Sequence, residues 1–180
     1  MLKVTIPAKE LFDEKTQEFV LSKEYNLQLE HSLVSLSKWE AKWNIPFFSK
    51  EEKTIEQTLD YIKCMTITQN IPDEAYNNLT TENINEINKY IGAPMTATTF
   101  KKRAGFGGTG ELVTSELIYY WMIALNIPME CQRWHLNRLL TLVRVCNIKN
   151  EPGKKMSRNE INSSNAALNA ARRKAMHTRG

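Results

Sequence analysis

The run Leu117-Ile118-Tyr119-Tyr120-Trp121-Met122-Ile123-Ala124-Leu125 constrains this chain more than any other stretch, because nine apolar or aromatic residues follow one another without a charge. A helix built from it is apolar on every side, and such a helix belongs inside a fold or against a partner. Nine residues fall well short of the ~18 that a membrane span requires, which leaves burial in protein as the explanation. Thr114 or Ser115 can cap its start. Pro128 suits the first turn of a second helix, where its missing N–H has no helical partner anyway. That second helix is expected to run to about Ile148, burying Trp134, Leu139, Leu142, Val143 and Cys146, with Arg133, Asn137, Thr141 and Arg144 on a polar stripe. The pair, Thr114 to Lys149, is expected to pack antiparallel and to form the centre of the fold.

Ahead of this pair the periodicity changes twice. Leu2, Val4 and Ile6 alternate, as do Phe19 with Leu21 and Tyr25 with Leu27 and Leu29, so residues 1–30 read as a small antiparallel β meander with Phe12 to Gln17 as a turn. From Ser32 the spacing is helical: Leu33, Leu36, Trp39 and Trp43 share a face, Lys38, Glu40 and Lys42 are left for solvent, and Pro46 stops the helix. Ser49-Lys50-Glu51-Glu52 has the form of a capping box, in which hydroxyl and carboxylate satisfy free N–H groups at a helix start. Ile55, Leu59, Ile62 and Met65 would line the helix that follows. Pro72 and Asp73 open a short polar turn, and Thr80 or Thr81 caps a helix bearing Ile84, Ile87 and Ile91 that ends at Gly92.

The fold class this predicts is mainly α (α+β): a helical domain with a small N-terminal antiparallel β-sheet and a C-terminal basic helix. One globular domain is expected over 1–149, with the sheet in 1–30 and a helical core in 32–149; 180 residues can bury such a core without disulfides or metal. Within it, 93–112 read as loop, and the glycines of 101–110 mark that part as flexible. A linker, Asn150-Glu151-Pro152-Gly153-Lys154-Lys155, opens the region 150–180. Ser157-Arg158-Asn159-Glu160 then starts a last helix whose only large apolar residues are Ile161, Leu168 and Met176, so it packs weakly.

The net charge of +4 conceals an asymmetry. Residues 1–100 hold 10 Lys/Arg against 15 Asp/Glu, residues 101–150 hold 7 against 3, and residues 151–180 hold 7 against 2. An acidic front and a basic back attract each other between copies, which favours self-association. Cys64, Cys131 and Cys146 make no close pair and read as reduced, core-packed thiols. Neither a secretory leader nor a membrane span is expected, and the predicted location is the cytoplasm.

Each pattern with chemical promise has a plainer explanation. Gly105-Phe106-Gly107-Gly108-Thr109-Gly110 matches the phosphate-cradling G-x-G-x-x-G. Lys101-Lys102-Arg103, rather than a hydrophobic strand, precedes it, so the nucleotide reading loses its context. Cys131 and His135 at i, i+4 would share a helix face, but two ligands do not make a zinc site. They also lack a third, orienting residue for nucleophilic chemistry. Glu51-Glu52 favours a helix dipole. The tail, with Arg172-Arg173-Lys174 and Arg179, could neutralise phosphates, yet no aromatic residue follows Trp134, which disfavours nucleic acid. No catalytic residue, cofactor or metal is assigned.

The stretch Thr114 to Pro128, continued by Trp134-His135-Leu136-Asn137-Arg138-Leu139-Leu140-Thr141-Leu142, resembles a group of tailed-bacteriophage proteins, the tail assembly chaperones. The runs Leu29 to Glu40, Pro94 to Thr99 and Leu168 to Lys174 are similar as well, so the likeness covers most of the chain. It implies a non-catalytic protein that binds the long, helical, aggregation-prone tape-measure protein in the host cell cytoplasm and helps recruit tail-tube subunits. It also implies a longer form made by ribosomal frameshifting. The residues expected to receive the partner are Leu117, Tyr120, Trp121, Trp134 and Arg138 on the helical pair, with Arg172 and Arg173 on the tail. Two other readings share the sequence features: a permanent virion component, at the head-tail joint or in the tail, and a small basic nucleic-acid-binding protein.

Overall fold

The computed structural model describes residues 1–13, 18–100, 112–150 and 158–176. The protein is mainly α, with six α-helices and two small antiparallel strand pairs among the described residues. The chain divides into two compact units, Met1–Cys146 and Asn147–Gly180.

In the first unit, β1 (Leu2–Ile6) pairs with β4 (Tyr25–Leu29), placing Val4 opposite Leu27, and β2 (Glu10–Asp13) pairs with β3 (Glu18–Leu21). Val4, Ile6, Leu27 and Leu29 are buried, as their alternation predicts. The strands are nested, however, and do not form a meander; alternation says which face is buried but not which strand lies alongside. Phe12 and Asp13, expected in a turn, are ladder residues opposite Phe19 and Glu18.

Ser32 caps α1 (Leu33–Trp43), and Asn44 ends it in the left-handed conformation, φ 54°, two residues before Pro46. Leu33, Leu36 and Trp39 are fully buried. Glu40, expected in solvent, is only 7% exposed. Its carboxylate accepts the Phe47 N–H and the Ser115 N–H, both at 2.7 Å.

The next helix, α2 (Ile55–Met65), starts later than expected. Thr54 and Gln57 form its reciprocal cap, and Ser49 instead closes a turn onto the Pro46 carbonyl. Both sequences fit a capping box. Tertiary anchoring decides between them, because Phe47 is held by Glu40 on one side and by the Lys53 ammonium on its carbonyl at 2.7 Å. Ile55 consequently sits in the first turn and is 82% exposed, contrary to its expected place in the core, whereas Ile62 and Met65 are buried.

A 3₁₀ turn, Asp73–Asn78, leads to α3 (Thr81–Gly92), which Thr80 and Asn83 cap reciprocally and which buries Ile87 and Tyr90. Thr114 caps α4 (Ser115–Ala124). The expected long helix from Pro128 is broken into a 3₁₀ turn, Met129–Arg133, and α5 (Leu136–Asn150). The interruption has a cause: His135 forms a β-bridge with Ser32, and the Leu136 N–H donates to the His31 carbonyl at 2.7 Å. A backbone committed to that pairing cannot continue a helix.

Two hydrophobic clusters result. β1, β4, α2 and α3 enclose the first with Trp39; Ile118 and Met122 of α4, with Leu136, Leu139 and Val143 of α5, enclose the second with Leu33 and Leu36. The shared wall is α1. The centre is therefore α1 rather than the α4–α5 pair, and α4 packs chiefly on α1 rather than antiparallel to α5.

In the second unit, α6 (Arg158–Met176) exposes every described side chain, as its weak apolar content predicts. No described helix is long and apolar enough to cross a membrane. The glycine-rich segment 101–110 and the cap residue Ser157 lie outside the described residues.

Candidate partner-binding surface

Although α4 is apolar all round, it is buried on one face only. Ser115, Ile118 and Met122 turn inward and are buried. The opposite face follows the i, i+3, i+4, i+7 spacing through Leu117, Tyr120, Trp121 and Ala124. Along it Leu117 and Trp121 are half-buried, Ala124 is exposed and Tyr120 is 62% exposed. Ile123, beside this stripe, is 68% exposed. The helix expected at the centre of the fold thus leaves one face uncovered. The neighbours of α4 are too few to cover it, since α1 lies on one side alone.

The helix is firmly held. Glu40 satisfies the Ser115 N–H, the Thr114 hydroxyl accepts from Leu117, and the Ile127 N–H returns to the Met122 carbonyl at 2.8 Å. The Tyr119 hydroxyl donates to Gln132 Oε1 at 3.0 Å, fastening α4 to the following 3₁₀ turn. An apolar face on a fixed element loses little entropy when a partner covers it.

Of the residues predicted to bind a partner, five belong to the first unit. Trp121 and Trp134 both pack against the second cluster, and the Arg138 guanidinium stacks over the Trp134 ring at 4.0 Å. Such stacking keeps an indole and a charge together at a partly exposed position. Arg172 and Arg173 are exposed on α6, in the second unit. Ile123 and Ala124 were missing from the predicted set. Spacing from Leu117 points to Ala124, but no sequence signal separates Ile123 from its buried neighbours in a run that is apolar throughout.

A second polar arrangement joins the two clusters. His31 and His135 are both buried, with ring centroids 5.1 Å apart. The Tyr61 hydroxyl lies 2.5 Å from His31 Nδ1. His135 Nε2 donates to the Tyr90 carbonyl at 3.1 Å, while its Nδ1 accepts from the Asn137 N–H, which assigns the tautomer. Burial, reinforced by His135, holds His31 down at about 4, and burial lowers His135 too. Both rings are neutral at neutral pH, so the seam carries no buried charge there.

The expected Cys131–His135 helix face does not exist, because Cys131 lies in the 3₁₀ turn and His135 in the bridge. Burial pushes the Cys131 thiol up, away from thiolate chemistry. All three cysteines are free. Among the described residues, no three His, Cys, Asp or Glu side chains gather as a metal ion would need. No protein-family model, curated protein or solved structure matches the chain.

Proposed function

We propose that this chain is a non-catalytic assembly chaperone of bacteriophage tails, which holds the tape-measure protein in the host cytoplasm and assists tail-tube assembly. The observation that carries the reading is the uncovered apolar face of α4, with Tyr120 and Ile123 outward on a helix fixed at both ends. A groove or face of this kind receives a partner's amphipathic helix through apolar anchors one turn apart. A long helical protein with much apolar surface offers many such segments. The resemblance of Thr114 to Pro128 and Trp134 to Leu142 to tail assembly chaperones supplies the name of the partner.

Co-expression with the tape-measure protein encoded by the same genome tests the proposal. The expected result is soluble tape-measure protein with the wild-type chain, and the yield without any chaperone for the Tyr120→Glu/Ile123→Glu variant. Both positions are exposed, so this variant should keep the wild-type circular dichroism spectrum. Unchanged tape-measure solubility with the wild-type chain refutes the reading. Abundant chain in purified virions, detected by mass spectrometry, replaces it with that of a permanent structural component.

A further inference from the structure

Between α2 and α3 lies a cleft of about 220 Å³ that is separate from the α4 face. Its floor is the buried Tyr61, Ile62 and Ile87. From α3 come Ile84, Ile87 and Ile91, at the i, i+3, i+7 spacing of one helix face, and from α2 come Thr58 and Ile62. At 1.5 Å per residue, the α3 stripe runs for about 10 Å, or two helical turns. Ile55 stands one turn before Thr58 on α2, beyond the residues that line the cleft. An isoleucine left 82% exposed contributes little to folding.

One charged side chain lines the cleft. The Lys53 ammonium donates to the Phe47 carbonyl at 2.7 Å and stands 4.3 Å from the Phe47 ring and 5.7 Å from the Trp39 ring. Among the described residues no carboxylate pairs with it. Burial lowers its proton affinity, as expected of a cation that has lost water without gaining an anion.

We propose that this cleft takes an amphipathic helix of another protein, with apolar side chains at i, i+3 or i+4 and i+7 between α2 and α3 and a carboxylate paired with Lys53. Two helical walls make a groove into which the ridge of a third helix fits. The volume is below the ~300 Å³ at which small-molecule pockets begin. Lys53 selects for acid and opposes the basic α6 of a second copy, which carries Arg172, Arg173 and Lys174. The inference does not depend on the role of the α4 face.

Methyl and amide NMR of the full chain at low salt tests it, using two short synthetic helical peptides with the same leucines, one flanked by Glu and the other by Lys. The acidic peptide should give saturable shifts at Ile55, Ile84, Ile87 and Ile91 and bind at least about tenfold tighter than the basic one. Lys53→Glu should reverse that order, Lys53→Gln should abolish the preference, and Thr58→Trp should block both peptides in a chain whose remaining spectrum is unchanged. Equal binding of the two peptides, a preference that survives at Lys53→Gln, or shifts confined to α4 would overturn the proposal. So would shifts at these isoleucines that track protein concentration without peptide, which assign the cleft to a second copy. Saturation by decanoate below the acidic peptide's concentration would assign it to a small carboxylate instead.

Discussion

His31 and Glu40 show how much of this fold rests on single polar side chains whose partners are distant in sequence. The unfolded chain binds a proton at His31 near pH 6.5, the folded chain only near 4. Between those values the unfolded state takes up more protons, so stability is full above about pH 6.5 and declines as the pH falls toward 4. A shift of that size corresponds to roughly 3 kcal/mol in total. Urea unfolding from pH 7.5 to 4.5 should show the decline, and His31→Phe should flatten it in part, leaving the share of His135, also lowered by burial. Glu40 makes a parallel case without titration. Its two oxygens hold the Phe47 and Ser115 N–H groups, at the loop after α1 and at the start of α4. Glu40→Ala orphans both and should cost about 2–4 kcal/mol in chemical denaturation, whereas Glu40→Gln keeps one acceptor and should cost less. Nothing near Glu40 in the sequence announces this: it is one polar residue among Lys38 and Lys42, and its second partner is 75 residues away.

At the scale of elements, what was legible depended on whether the signal was local. Thr80 and Thr114, each one of two adjacent candidates, cap their helices, since a cap is written within four residues. The start of α2 was misplaced because two adjacent capping boxes compete and Phe47, anchored by Glu40 and Lys53, excludes the first. This gives a direct comparison. Thr54→Ala removes the hydroxyl that accepts from Gln57 and should lower stability by about 1 kcal/mol. Ser49→Ala, at the unused box, should change the unfolding free energy by less than about 0.5 kcal/mol, because the turn there uses the Ser49 backbone N–H. A larger effect at Ser49 than at Thr54 would mean that the helix begins at Ser49. The α4 face was legible only in part. The run Leu117 to Leu125 announces a helix that needs cover, but which residues stay uncovered is set by the second cluster, which buries Ile118 and Met122 and leaves Tyr120 and Ile123 outside.

For the whole molecule the decisive fact is that α1 serves both clusters, Trp39 in one and Leu33 with Leu36 in the other. The sequence concentrates apolar residues in Leu117 to Leu125 and so suggests a centre there. Centrality, though, is a matter of how many elements a helix touches, and α1 packs on α2, on α4 and on the 3₁₀ turn Met129–Arg133. The same reasoning separates α6 from the stability of the rest. Its described side chains are all exposed, and a helix that is polar all round gains little from packing. Truncation after Asn150 should therefore leave the thermal midpoint of the remaining chain within about 2 °C of the full-length value, since 1 kcal/mol corresponds to about 2–4 °C at this size. Circular dichroism would lose no more helix than α6 supplies. A fall of more than about 5 °C would mean that α6 buries apolar surface against the first unit. Carried into the co-expression assay, the truncated chain also sorts the predicted contacts by unit. Retained tape-measure solubility assigns binding to the first unit, and its loss with an unchanged midpoint assigns a share to Arg172 and Arg173.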